Sequence, residues 1–172
     1  MNKRYTDNKG FTLVELIVSI GIISLLSGIA LPRFFSNWED ERLNASAKIT
    51  AAWLDDLRRK AIQTSVPCQA TWNLSAASIS AQCDNESSIS STLNLKAEID
   101  NTDNLEIGLR PNDPTTWIFT PRGTSTTDGL ATFTLTNSNS DPGRCLHVTA
   151  PLGLIRLAKK TPANSCDYTT AY

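Results

Sequence analysis

The sequence predicts an α+β fold: a long N-terminal α-helix, half transmembrane and half amphipathic, packed on an antiparallel β-sheet head. Three observations carry this expectation. Phe11 to Leu31 is an apolar run with one charged residue, Glu15. After Pro32, no glycine or proline occurs until Pro67, and small or apolar residues recur at three- and four-residue spacing. From Val66 onward Ser, Thr, Asn and Gly rise, and the apolar segments become short and alternating.

The division that follows is residues 1–10 as a cleaved leader, 11–31 as the transmembrane part of the helix, 32–65 as its amphipathic part, and 66–172 as a β-rich head. The leader carries Lys3, Arg4 and Lys9, which the positive-inside rule keeps cytoplasmic. It differs from a secretory signal, whose small-residue cleavage site follows its apolar core. Here the small residue, Gly10, precedes the apolar run, so a cut there leaves that run on the mature chain. At about 1.5 Å per residue, Phe11–Leu31 reaches roughly 31 Å, one hydrocarbon core. A carboxylate within it costs roughly 2.5–3.5 kcal/mol on insertion scales, so Glu15 calls for a specific role.

KGFTLVELIVSIGIISLLSGIALPRF resembles the N-terminus of type IV pilins and type II secretion pseudopilins, through Gly10, Phe11, Thr12, Leu13, Glu15 and Pro32. The resemblance implies that a prepilin peptidase cuts after Gly10 and N-methylates Phe11. It implies that Glu15 pairs with the new amine of Phe11, in its own chain or a neighbour's. The physical logic agrees: a buried anion and a buried cation relieve each other only when subunits dock in one axial register. Gly28–Pro32 suits either a hinge, since proline opens helices, or close helix packing by small residues.

In the amphipathic part, Leu43, Ala47, Thr50, Leu54, Leu57 and Ala61 mark one face. Asp55 and Asp56 precede Arg58, Arg59 and Lys60 on the other, at ion-pair spacing. Trp38 and Trp53 read as packing residues, Trp38 near the membrane surface or a subunit contact. With the apolar run, the helix would extend to about Ser65, roughly 80 Å.

In the head, QATWNL and SISAQC read as a β-hairpin across Ser75–Ala77. Pairing Leu74 with Ala77 sets Cys68 opposite Cys83 and leaves Cys145 for Cys166, although the sequence leaves all three connectivities open. Four cysteines beyond a membrane span fit an oxidising compartment. Without a C-x-x-C pair, and with His147 as the only histidine, zinc is poorly supported. Further strands are expected at Leu105–Arg110, Thr116–Thr120, Leu130–Thr136, Arg144–Ala150 and Leu154–Lys159, the last two joined by a turn at Pro151–Gly153. The helix end LRRKAIQTSVPC, the segment Ile118–Ser125 and the hairpin RCLHVTAPLGLIRL resemble the GspH/FimT type of minor pilin or pseudopilin.

The net charge of −1 does not suggest a nucleic-acid binder, and loss of Lys3, Arg4, Lys9 and Asp7 makes the remainder more acidic. Some FimT-like pilins bind DNA through a G-R-x-R motif in the C-terminal hairpin. Here it reads Gly153, Leu154, Ile155, Arg156, so one arginine is replaced. Arg144, Arg156, Lys159 and Lys160, with His147, would be the remaining nucleic-acid contacts, against the simpler reading of a lysine-guarded sheet edge. The segment Glu98–Glu106 gathers Glu98, Asp100, Asn101, Asp103, Asn104 and Glu106, hard oxygen donors for calcium, but without EF-hand spacing. A solvated loop is the simpler reading, and no metal or cofactor is expected. Nothing surrounds His147 with a nucleophile pattern, so no enzyme activity is expected.

The sequence therefore reads as a structural subunit, a minor pilin of a type IV pilus, with a type II secretion pseudopilin and a DNA-binding competence pilin as alternatives. Expected partners are prepilin peptidase, other pilin subunits and an inner-membrane assembly platform; DNA is possible but not favoured. The expected location is the bacterial inner membrane, single-pass, then the pilus with the head in the periplasm or outside.

Overall fold

The computed structural model describes residues 10–84, 91–99, 104–136, 143–161 and 165–169, with the backbone alone at 29–37. Helix α1 (Leu13–Thr64) leads into a head of nine strands and one short helix among the described residues. The chain separates into two compact units, residues 1–37 and 38–172. Residues 38–64 of α1 thus belong to the same unit as the head.

In that unit the three- and four-residue spacing of α1 has the expected consequence. Leu43, Ala47, Thr50, Leu54, Leu57 and Ala61 are all buried. Thr50 and Ser46 sit in the core because their hydroxyls donate to α1 carbonyls, Thr50 Oγ1 to Ser46 at 2.8 Å and Ser46 Oγ to Leu43 at 2.8 Å. The opposite face carries Asp55–Arg59 at 2.8 Å and Asp56–Lys60 at 2.8 Å. Trp53 packs partly on the core, whereas Trp38 stays half exposed, with the Arg42 guanidinium 5.7 Å from its ring centroid.

The head contains two antiparallel sheets. The first is ordered β3-β2-β1-β5, with β1 (Cys68–Asn73), β2 (Ser78–Cys83), β3 (Ser91–Asn94) and β5 (Thr116–Phe119). The second is ordered β4-β6-β7-β8-β9, with β4 (Leu105–Leu109), β6 (Gly129–Leu135), β7 (Gly143–Thr149), β8 (Leu154–Lys160) and β9 (Cys166–Asp167). Helix α2 (Leu95–Glu98) follows β3 and is capped by Asn94, whose side chain accepts from the Ala97 N–H. The alternation of buried residues in β1, β2, β5 and β6 directs one face of each sheet inward. Trp72 of β1 meets Trp117 of β5 edge-on at 4.8 Å and Phe133 of β6 at 6.5 Å, so these rings join the two sheets to one core.

The register of β1 with β2 places Cys68 opposite Cys83, and the two are disulfide-bonded. Cys145 of β7 is bonded to Cys166, which fastens β9 to the sheet. Strands β3 and β9 and helix α2 have no counterpart in the sequence expectations. Each is short, and α2 follows β3 without an intervening residue, which leaves no room for a period to show.

Among the described residues no helix is long and apolar enough to cross a membrane. The structure therefore does not support the span expected over 11–31.

Candidate assembly site

The N-terminal unit begins its helix with a local device. Leu16 N–H donates to the Thr12 carbonyl at 3.2 Å, and Glu15 N–H donates to Thr12 Oγ1 at 3.3 Å. Thr12 is thus the N-cap and Glu15 the third helical residue, and the Thr12 hydroxyl satisfies one otherwise orphaned donor, the Glu15 N–H. This places the Glu15 carboxylate in the first turn, where the helix dipole favours negative charge. Thr12 was legible in the sequence as a capping residue, a signal that the motif reading passed over.

On both sides of Glu15 the apolar side chains described between Phe11 and Leu26 are exposed. Phe11 is 81% and Leu25 75% exposed, and Val14, Ile17, Ile20 and Ile23 are exposed as well. The serines do not disturb the pattern, because Ser19, Ser24 and Ser27 donate to the carbonyls of Glu15, Ile20 and Ile23 at 2.7–2.8 Å. Gly10, Gly21 and Gly28 have no other atom near the position a Cβ would take. This surface is complete only when something apolar covers it. Pro32 falls within α1, and its side chain lies outside the described residues.

The proposed nucleic-acid residues do not form one patch. Arg144 is 3% exposed and faces α1, where its Nη2 donates to Asp40 Oδ1 at 2.7 Å and its Nε to Asn44 Oδ1 at 3.3 Å. This corrects the assignment of Arg144 as a phosphate contact. The reason is strand parity: Arg144, Leu146 and Val148 share the inward face of β7. Lys159 pairs with Arg144 and lies on the same side of β8 as Ile155 and Leu157, which pack on the core. Arg156 and Lys160 lie on the other side, with Leu154. Asp40 and Asn44 were not singled out in the sequence, since only the tertiary contact gives them their role.

On the outer face, Asp128 organises a second polar cluster. It accepts from Arg110 Nη2 at 3.2 Å, lies 3.0 Å from His147 Nε2, and accepts from the Ala150 N–H at 3.4 Å. Partial burial pushes its carboxyl upward, but Arg110, the Ala150 N–H and His147 together outweigh this and hold it below its ordinary 3.8. Burial raises the Tyr168 phenol, whose ring lies 6.0 Å from that of His147, against the opposing pull of Arg110 and Arg156. Asp128 thereby ties Arg110, His147 and the Ala150 N–H together.

That tie has a pH signature. A depressed carboxyl stabilises the fold above its unfolded value and loses that contribution as pH falls through the folded value. Asp128→Asn is expected to lower stability at neutral pH by less than about 1 kcal/mol, because the side chain is largely solvated. Urea unfolding at pH 7 and pH 3 tests this: the gap between wild type and variant should narrow at pH 3.

Two of the carboxylates weighed for calcium lie in different elements. Glu98 lies in α2 and Glu106 in β4, and Asn104 precedes β4, while Asp100, Asn101 and Asp103 lie outside the described residues. Among the described residues no group of side chains is arranged to hold a metal ion.

The segment Ile118–Ser125 is a docking loop. Arg58 Nε of α1 donates to the Gly123 carbonyl at 2.7 Å, and Ser125 N–H donates to the Pro151 carbonyl at 3.0 Å. Gly123 has φ +75°, and a Cβ there would meet Ile62 Cδ1 at 2.7 Å, so both conformation and space require glycine.

The profile of the prokaryotic N-terminal methylation motif matches residues 6–31. Comparison with curated proteins finds no match. Among solved structures, the chain is similar to the minor pseudopilin EpsH of the type 2 secretion system of Vibrio cholerae. That likeness has a TM-score of 0.54 and 12% identity, covering 69% of this chain and 97% of EpsH. It is equally similar to the type IV minor pilin FimU of Pseudomonas aeruginosa, with a TM-score of 0.54 and 15% identity, covering 74% of this chain and 93% of FimU.

Proposed function

We propose that this chain, whose N-terminal motif and fold support the type IV pilin and pseudopilin family, is a minor pilin: a structural subunit of a type IV pilus. Prepilin peptidase cuts after Gly10 and methylates Phe11. The mature helix then docks among its neighbours, with Glu15 paired to the Phe11 amine of its own or an adjacent subunit. The observation that carries this reading is the uncovered apolar helix from Phe11, with one carboxylate in its first turn. Before assembly that surface is covered by the inner membrane. In the filament it is covered by other subunits, handed over by a membrane assembly platform.

The role is structural rather than catalytic, and the nearly equal likeness to EpsH keeps a type II secretion pseudopilin as the second reading. A DNA-binding role is disfavoured, because Arg144 is committed to α1 and the remaining cations are divided between two faces of β8.

Intact mass of the protein purified from cells with and without prepilin peptidase tests processing. The expected mature form begins at Phe11 and carries one added methyl group. A chain that retains Met1–Gly10 in peptidase-positive cells overturns the reading. Copurification with sheared pili, rather than dependence on secretion genes, separates pilus from secretion subunit.

A further inference from the structure

Two surfaces of the head, displaced along α1, are complementary to each other. One is a cavity of about 260 Å³ lined by Trp38, Glu41, Arg42, Ala45, Glu98 and Ile99. Most of its lining surface is apolar, and Glu41 and Glu98 are the acidic residues in that lining. The Arg42 guanidinium carbon lies 5.7 Å from the centroid of the Trp38 ring. At this size the cavity has room for aliphatic side chains, far beyond the roughly 30 Å³ of a water molecule.

The other surface is the tip of the β7–β8 hairpin. Leu152 is 60% and Leu154 47% exposed. Arg156 follows on the same outer side as Leu154, is exposed, and has no carboxylate ion pair among the described residues. The tip is held in place from behind. Gly153 N–H donates to the Thr149 carbonyl at 2.8 Å, and the Pro151 carbonyl accepts from Ser125. Two leucines and a guanidinium are thus presented on an ordered backbone, which lowers the ordering cost of binding.

A single molecule cannot join its own two surfaces. The cavity belongs to residues 38–45 of α1, whereas the hairpin lies over Arg58, beside Gly123 and Gly153. At about 1.5 Å per residue these positions are roughly 24 Å apart along the helix.

We propose that the cavity receives the β7–β8 hairpin tip of a second copy of this chain. Leu152 and Leu154 fill the apolar part of the cavity, and Arg156 pairs with Glu98 and Glu41 of its lining. Because different patches meet, the contact is heterologous and can repeat from head to head, the geometry that builds an open filament. The inference deepens the subunit reading and rests on it for its setting, but the contact itself has a separate test.

Among the described residues all four cysteines are bonded, so introduced cysteines supply the free thiols. Two differently tagged full-length copies are coexpressed and solubilised in detergent, one with Leu152→Cys and the other with Ala45→Cys. The expected result is a mixed-tag disulfide dimer. Arg156→Glu should reduce its yield at least tenfold, and Glu98→Lys in the copy bearing Ala45→Cys should restore it. Leu74→Cys in place of Leu152→Cys should give no product, since Leu74 is exposed on the β1–β2 turn. Equal yield from Leu74→Cys, or a yield indifferent to Arg156→Glu, overturns the contact. Copies that enter filaments without cross-linking overturn the head contact and leave the subunit reading standing. Copies that cross-link in detergent yet never enter filaments support the contact and count against the subunit reading.

Discussion

Glu15→Ala is expected to leave the protein expressed, folded and membrane-associated, while its recovery in sheared filaments falls at least tenfold. The substitution removes the carboxylate from the first turn of α1 but leaves Thr12 to cap the helix, because the cap bond uses the backbone N–H of residue 15. Helix formation should therefore survive. In the proposed pairing, what is lost is the partner for the Phe11 amine, whose charge is costly in apolar surroundings when unpaired. An ion pair of this kind acts through register: subunits shifted by one turn bury both charges alone. Glu15→Gln should behave like alanine, since it keeps the shape and loses the charge. Quantitative blotting of pellet and filament fractions measures the outcome. Normal filament recovery with either variant would remove the assembly role of Glu15.

Asp40→Ala is expected to destabilise the head by about 3 kcal/mol, more than Arg144→Met does. The asymmetry follows from where the two charges sit. Arg144 is buried and Asp40 is about half exposed. Removing Asp40 takes the 2.7 Å carboxylate partner from a buried guanidinium, while Asn44 Oδ1 and the Gly143 carbonyl still accept from it. Breaking a buried pair from one side costs about 3–5 kcal/mol, whereas replacing the buried charge by an apolar side chain of similar volume is often near neutral. The lower end applies because those acceptors remain. Chemical denaturation of the full chain in mild detergent, with near-ultraviolet circular dichroism of the head tryptophans as readout, compares the two. If Arg144→Met costs more than Asp40→Ala, the pair is not the electrostatic clamp described.

The N-terminal device was legible because all of it is local. Gly10, Phe11, Thr12 and Glu15 lie within six consecutive residues, so the motif does not depend on the rest of the fold. The buried face of α1 was legible for a similar reason, since a period of 3.6 places Leu43 to Ala61 on one side whatever packs there. The β1–β2 register followed from one turn and put Cys68 opposite Cys83.

The basic residues of the C-terminal hairpin were misleading at this level. Arg144, Arg156, Lys159 and Lys160 are near each other in sequence, but β-strand parity sends them to two faces. Which face is interior is decided by where α1 lies. The number of sheets was likewise nonlocal. Trp72, Trp117 and Phe133 come from three strands, and only their meeting divides the strands into two sheets that share a core.

The sequence by itself determined the N-terminal motif and the helix that follows it, because motif, capping and helix amphipathicity depend on residues within a few turns of each other. The tertiary structure decided the head: which cation is buried against Asp40, which are left on the surface, and which cavity and hairpin tip are presented to a neighbour. Those outcomes depend on contacts between residues as distant in the chain as Asp40 and Arg144, where burial changes the cost of a charge and periodicity carries no information about it.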